Sequence, residues 1–325
     1  MVPTTRVLAA LTFTVAVPAL VLGWLWVVGR LEAVLPHRFH RRLVPWLWLA
    51  PALVPVGVYL AWPLANTVWL SLRDAGSRGW AGLDNYRYLA TSAEVHTALR
   101  NNLLWLVLLT GGCLGAGLLV AVLTDRVRYE AVAKAAVVLP TAIPFVAGAV
   151  IWRFMYQYRP PGLPQTGTLN AVLTATGAAP VAWLVDTRTN NGALIGVGVW
   201  MTAGFATVIL SAALKAVPAE LHEAARIDGA GPWQVFRHVT LPHLRPTILV
   251  TATLVAVSAF KAFDIVYVMT NGNYRTDVIA NLMYRQLFVD QHDGRASAIA
   301  VLLTVLAVPI LIVNARATRA GGPNR

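Results

Sequence analysis

Charge is what this chain has least of. Asp, Glu, Lys and Arg fill 12% of its 325 positions, about half the share found in ordinary soluble domains, where roughly a quarter of residues are charged. Acids are the scarcer sign, 14 against 26 basic residues, and the only lysines are Lys134, Lys215 and Lys261. None of them follows a glycine in a G-x-x-x-x-G-K-[ST] loop, which excludes the usual phosphate-cradling nucleotide site. The one cysteine, Cys113, lies in an apolar stretch; it can make no intrachain disulfide and reads as a small core side chain. There is no Gly-x-Ser-x-Gly elbow and no His-Glu-x-x-His pair. No internal repeat suggests a secondary transporter built from related halves. These absences point away from an enzyme and from a chain that supplies its own nucleotide energy.

Long uncharged runs stand in place of charge. Seven stretches lack Asp, Glu, Lys and Arg: 7–29, 43–72, 101–124, 135–152, 189–214, 246–260 and 296–315. A membrane-spanning helix needs about 20 largely apolar residues, and most of these meet that length. The sixth reaches it only by running past Lys261 and Asp264 to Met269. The expected fold is all-α and polytopic, with about seven spans in the lipid bilayer. The net charge of +12 does not imply nucleic acid, because the basic residues are spread over short loops rather than gathered in a patch.

Residues 7–28 follow Arg6, but the run exceeds the apolar core of a signal peptide, about 7–15 residues, and no A-x-A-like site follows. A retained helix is expected, with Arg30, Arg38, Arg41 and Arg42 behind it. If 215–245 is cytoplasmic, alternation gathers 29–43, 126–134 and the tail from Arg316 on the same side, at about twice the basic density of the other side. The amino terminus is then outside and the carboxyl terminus cytoplasmic. Pro140 and Pro144 should bend the fourth helix, and Gly148 and Ala149 offer small surfaces for close packing. The outer loop 159–192 carries a short amphipathic run near Leu169–Thr174, and 270–295 carries a helix-like segment at Tyr284-Arg285. Asp290, His292 and Asp293 have no partner cluster and read as a solvated loop, so no metal site is expected.

One polar stretch lies between the apolar runs, Pro218 to Pro246, and it holds Glu220, Glu223 and Asp228. Glu220–Ile227 is rich in helix formers with acids in its first turn. Asp228-Gly229 is a stop signal, since glycine takes a left-handed cap without strain. Gly231-Pro232 restarts a helix, which Leu241-Pro242 is expected to end.

Glu223-Ala224-Ala225, then Asp228-Gly229-Ala230, then Phe236 and Leu241-Pro242, resemble the EAA loop of permease subunits of bacterial ABC importers, and most of all the carbohydrate branch. Gly82-Leu83-Asp84-Asn85-Tyr86 and the Asn101-Asn102 pair opening the third helix resemble features of the same sugar-type permeases. The resemblance implies that 218–242 is a coupling helix, with Glu220 and the residues just named docking on a separate ATPase that carries ATP and Mg, while this chain binds no cofactor. It also implies a second permease, an extracytoplasmic solute-binding protein, a sugar substrate and the cytoplasmic membrane. It divides the chain into an extra helix and linker at 1–43, a six-helix permease domain at 44–316 and a tail at 317–325.

Arg153 is near enough to an interface to snorkel. Lys261 and Asp264 are spaced i, i+3 and can neutralise one another on one helix face. Charge at membrane depth costs about 2.5–3.5 kcal/mol, so such a face lines a hydrophilic path, satisfies itself, or meets a partner subunit. A secondary transporter using the two as an ion relay is the alternative. By resemblance, the substrate path takes Trp200, Met201, Thr202 and Phe205 from the fifth helix, and Ser258, Ala259 and Ala262, beside Lys261 and Asp264, from the sixth. Several of these are apolar where maltose-type relatives are polar.

Overall fold

A computed structural model describes residues 4–34, 36–125, 127–260 and 262–320. Lys261 therefore lies outside the described residues. Every regular element is helical, with no strand among the described residues. The chain divides into two units, one up to Trp69 and one from Leu70 onward.

The first unit is a pair of apolar helices, α1 (Thr4–Val34) and α2 (His37–Val56). The indole N–H of Trp24 donates to Leu47 O at 2.8 Å and that of Trp48 to Glu32 Oε2 at 3.3 Å, which ties the two together. α2 continues through a π-turn at Gly57–Ala61 into α3 (Trp62–Leu70). The Trp62 N–H reaches back to Gly57 O, and the next residue is Pro63. A wide turn skips a carbonyl in the ladder, so an amide-less proline can follow it without ending the helix.

The second unit opens with α4 (Asp84–Thr91) and the long α5 (Ala93–Leu123). The fourth apolar run is broken, as its prolines suggest. α6 (Glu130–Val138) passes through a short 3-10 turn at Leu139–Ala142 and is followed by α7 (Phe145–Met155), bent from it by 102°. Ile143 is extended, the conformation forced on a residue before proline. α8 (Thr168–Ala175) is the amphipathic run of the outer loop. The central helix is α9 (Asn190–Lys215), most of it buried. Beyond it come α10 (Ala219–Ile227) and α11 (Pro232–Val235), a π-turn at Phe236–Thr240, and α12 (Leu241–Phe260). The unit closes with α13 (Asp264–Met269), α14 (Ile279–Phe288) and α15 (Asp293–Ala320).

Among the described residues six helices are long and apolar enough to cross a membrane, and the bent α6–α7 pair makes a seventh if it counts as one span. Two sequence expectations are corrected. Leu241-Pro242 does not end a helix: Pro232–Phe260 runs as one rod of 29 residues. Its π-turn joins Leu241 N–H to Phe236 O immediately before Pro242, the same device as at Pro63. The sixth run is not one helix to Met269 either. α12 stops at Phe260, Ala262 and Phe263 are not helical, and Asp264 starts a new helix. Asp264 thus starts a helix of its own behind the non-helical Ala262 and Phe263.

Small residues let α9 sit close to its neighbours. A β-carbon at Gly117 would come 2.8 Å from Ala206 Cβ, and one at Gly204 would come 2.6 Å from Val137 O. Gly148 is filled by Met201 in the same way, as the small surface at 148–149 suggests. Around these contacts Trp105, Leu109, Cys113, Leu194, Val197, Val255 and Val266 form the buried core.

Buried asparagines hold the loops. Asn85 donates to Ser71 O and Arg73 O, and Asn170 to Gln157 O and Val181 O. Asn101 and Asn102 do not open their helix; they lie about two turns inside α5. Asn101 donates to Arg275 O and Asp277 O, both at 2.8 Å, Asn102 Oδ1 accepts from Ile279 N–H, and Asn190 donates to Tyr274 O. Together they clamp the 270–279 loop, in which Asn271, Gly272, Tyr274 and Arg275 are all left-handed. Burial pushes the Asp277 carboxyl above its ordinary range, although Asn281 donates to it and Arg285 lies near. Arg153 donates to Val268 O, capping the last turn of α13. Asp290 accepts from Gln286 and Asp293 from Ser77.

Gly204→Ala should lower the thermal midpoint of the detergent-solubilised chain, by about 1–3 kcal/mol of overpacking. Gly111→Ala, where a β-carbon meets nothing within 4 Å, should leave it unchanged. Equal midpoints for the two would sink the close-packing account of α9.

Candidate functional site

Two places stand out, and one rod connects them. The first is the 216–242 loop. Pro218, extended at ψ 134°, starts α10, and Glu220 lies in its first turn. No residue of α10 is buried; it packs on α11 and the π-turn beside it. Its end is a Schellman motif. Ala230 N–H bonds to Ala225 O at 2.9 Å and Gly229 N–H to Arg226 O at 3.0 Å, with Gly229 left-handed at φ 81° and Asp228 as the capping residue. Gln234 Oε1 accepts from Gly231 N–H at the start of the next helix, and Pro232 is its first residue.

Inside this loop Val235 is buried, Trp233 and Phe236 stack at 5.6 Å, and His222 Nε2 lies 3.1 Å from Thr240 Oγ1. Its outer surface keeps Glu220, Glu223, Ala224, Asp228 and Gly229 exposed, together with Ile227 at 86% and Trp233 at 68%. Ala225, Ala230, Phe236 and Leu241 are half-buried and Pro242 is exposed. Two exposed carboxylates of one helix thus lie beside exposed apolar side chains. At its root, Glu130 accepts from Lys134 and pairs with Lys215 at 2.6 Å, and Lys134 also donates to Ser211. Sequence reasoning missed this cluster; the signal was that two of only three lysines flank the loop and the preceding helix.

The second place is a cavity of about 200 Å³ at the break between α12 and α13. It brings together Thr202, Ser258, Ala262 and Asp264 from the expected path, with Trp105, Leu109, Phe145, Gly198, Phe263 and Ile265. The rest of the expected set is elsewhere. Met201 is buried against Gly148, Trp200 sits edge-on to Trp152 at 5.6 Å, Ala259 is fully buried, and Phe205 is exposed. Trp105, 1% exposed, keeps its indole N–H without an acceptor among the described residues. Asp264 opens α13 and is exposed, so one carboxylate residue and two hydroxyl residues, Thr202 and Ser258, line one otherwise apolar cavity. Nothing in the sequence marked Trp105, because an isolated indole in an apolar run looks like core.

A bundle of long apolar helices, broken at a small and mostly apolar cavity and carrying an exposed helical loop, defines a polytopic membrane protein. The family model described as "Binding-protein-dependent transport system inner membrane component" matches residues 114–319. The osmoprotective compounds uptake permease protein GgtC of Synechocystis sp. is 50% identical over 84% of this chain and 98% of its own. The alpha-glucoside transport system permease protein AglF of Rhizobium meliloti is 43% identical over 93% and 92%. The trehalose/maltose transport system permease protein MalF of Thermococcus litoralis is 31% identical over 85% and 94%. A chain of a bacterial alginate ABC transporter, solved with an alginate pentasaccharide-bound periplasmic protein, has the same fold, with a TM-score of 0.73 at 24% identity over 89% of this chain and 98% of that one. The chain belongs to the binding-protein-dependent transport permeases, and it is a multi-pass protein of the cytoplasmic membrane.

Gly229→Ala should distort the α10 cap, since only the left-handed backbone and no neighbouring atom opposes a side chain there; the cost is about 1 kcal/mol. Gly229→Asn, which tolerates that backbone, should preserve it. Limited proteolysis of the loop reads the difference, and equal cleavage of both variants would count against it.

Proposed function

We propose that this chain is the pore-forming permease of an ATP-driven importer for a sugar or oligosaccharide. An extracytoplasmic binding protein delivers the solute, a second permease completes the path, and separate ATPase subunits carry ATP and Mg. Support comes from the family, from relatives named for α-glucoside and trehalose/maltose transport, and above all from the exposed, firmly capped α10. The permease domain is 44–316, preceded by an extra helix and linker at 1–43 and followed by a tail at 317–325. The amino terminus faces outside and the carboxyl terminus the cytoplasm. The chain itself catalyses no reaction and binds no cofactor.

The geometry supplies a mechanism. Pro232–Phe260 is one rod of 29 residues, about 44 Å at 1.5 Å per residue, running from the docking face to the cavity rim at Ser258. α9 leads from the other end of the loop to Gly198 and Thr202 on the opposite wall. When ATP draws the ATPase subunits together, α10 moves with the subunit that holds it, and the two helices carry that motion to the cavity. Access then alternates between the two sides. Glu220, Glu223, Ala224, Ala225, Asp228, Gly229 and Ala230 form the docking segment, and Phe236, Leu241 and Pro242 belong to the rod behind it. Thr202, Ser258, Ala262 and Asp264 face the solute. An ion relay at Lys261 and Asp264 is not favoured, because the helix they were to share stops between them.

Glu223→Ala should weaken recovery of the ATPase about tenfold when the tagged chain is co-purified with its operon partners, through loss of one charge-assisted contact, while membrane insertion is unchanged. Equal recovery of the ATPase with variant and parent would sink this assignment.

A further inference from the structure

Four aromatic rings lead away from the cavity. Phe263, in the cavity wall, stacks on Tyr267 of α13 at 5.1 Å and 20°. Tyr284 of α14 meets both, at 5.5 Å from Phe263 and 5.1 Å from Tyr267, and Phe288 follows one turn later at 4.8 Å. The row does not dive into the core. Tyr267 is 38% exposed and Phe288 64%. At its middle the Tyr267 and Tyr284 hydroxyls lie 3.5 Å apart, and at its inner end are Asp264, Thr202 and Ser258 of the cavity lining.

We propose that Phe263, Tyr267, Tyr284 and Phe288 are a stacking track along which a pyranose ring enters the Asp264 cavity, an inference that rests on the sugar-importer reading. A pyranose has one face of C–H groups, weakly positive, and a rim of hydroxyls. The negative face of an aromatic ring suits the first, and phenol hydroxyls with a carboxylate suit the second. The Tyr267 and Tyr284 hydroxyls partner each other at 3.5 Å, and each phenol oxygen keeps a further position for a sugar hydroxyl. Successive rings at about 5 Å spacing let a sugar pass from one platform to the next without losing its contact at any step.

The test is uptake of radiolabelled trehalose, maltose and maltotriose by the complete importer in proteoliposomes. Phe288→Leu keeps an apolar side chain and removes the ring; Tyr284→Ala removes both ring and hydroxyl. Each should lower kcat/KM for uptake about five- to tenfold, with ATPase stimulation by the loaded binding protein unchanged. Phe288→Trp should restore uptake. Parental uptake in Phe288→Leu overturns the track, and so does loss of the second permease or the ATPase from the purified complex, which makes the row an assembly surface. If the parent carries none of the three sugars, the importer reading falls and takes the track with it; uptake by the parent with unaffected variants removes the track alone.

Discussion

A backbone group that loses its helix partner in apolar surroundings must find another, because no water is there to take its place. This chain stops or bends its helices repeatedly, and at each stop a specific acceptor or donor is supplied. Asparagine does most of it. Its amide can donate and accept at once, so Asn101 and Asn102 hold two carbonyls and one N–H of the 270–279 loop from inside α5. Arg153 covers the end of α13, and the Schellman pair covers the end of α10. At Pro63 and Pro242 a π-turn precedes the proline that removes an amide. The breaks that function needs are affordable only because each is closed this way.

Packing then decides which parts move as one. Gly117 and Gly204 hold α9 at backbone distance from its neighbours, and Gly148 and Gly198 make room for the side chains of Met201, Leu109 and Trp105; dense contacts of this kind have little room to slide. The break at Ala262 and Phe263 is different. It leaves a cavity in place of close packing, and three of its walls come from separate helices, Phe145 on α7, Thr202 on α9 and Ser258 on α12. A site at the meeting of stiff rods changes shape when the rods tilt.

The spans, the prolines of the fourth run, the amphipathic α8 and the α10 cap could be read from the sequence, since each depends on local chemistry. Gly229 needs no tertiary context to be left-handed. Pro242 shows the limit: taken alone it ends a helix, but the π-turn before it absorbs the missing amide, and the register of a wide turn is not written in residue type. The break before Asp264 was hidden for the opposite reason. Helix formers on both sides suggested continuity, and what interrupts them is the packing of α13 against α7 and α9. Of the expected path residues, those whose positions face the break met at the cavity, while Met201 and Ala259 were claimed by core packing, which the sequence expressed only as apolarity.

Scarcity of charge gives the remaining charges weight. Glu130 begins α6 and gathers Lys134 from its own helix and Lys215 from the last turn of α9. Lys215 lies directly before the loop that carries α10, and α6 leads through the 102° bend to α7 and Phe145. The root of the docking loop is therefore bonded to the helix that leads to the third wall of the cavity, as well as being covalently continuous with the other two. A single carboxylate shared by two ammonium groups resists removal of either one, because the partner left behind still holds its place. The loop that carries α10 is thus joined to the cavity lining by chain continuity through α9 and α12, and to α6–α7 through this ion cluster.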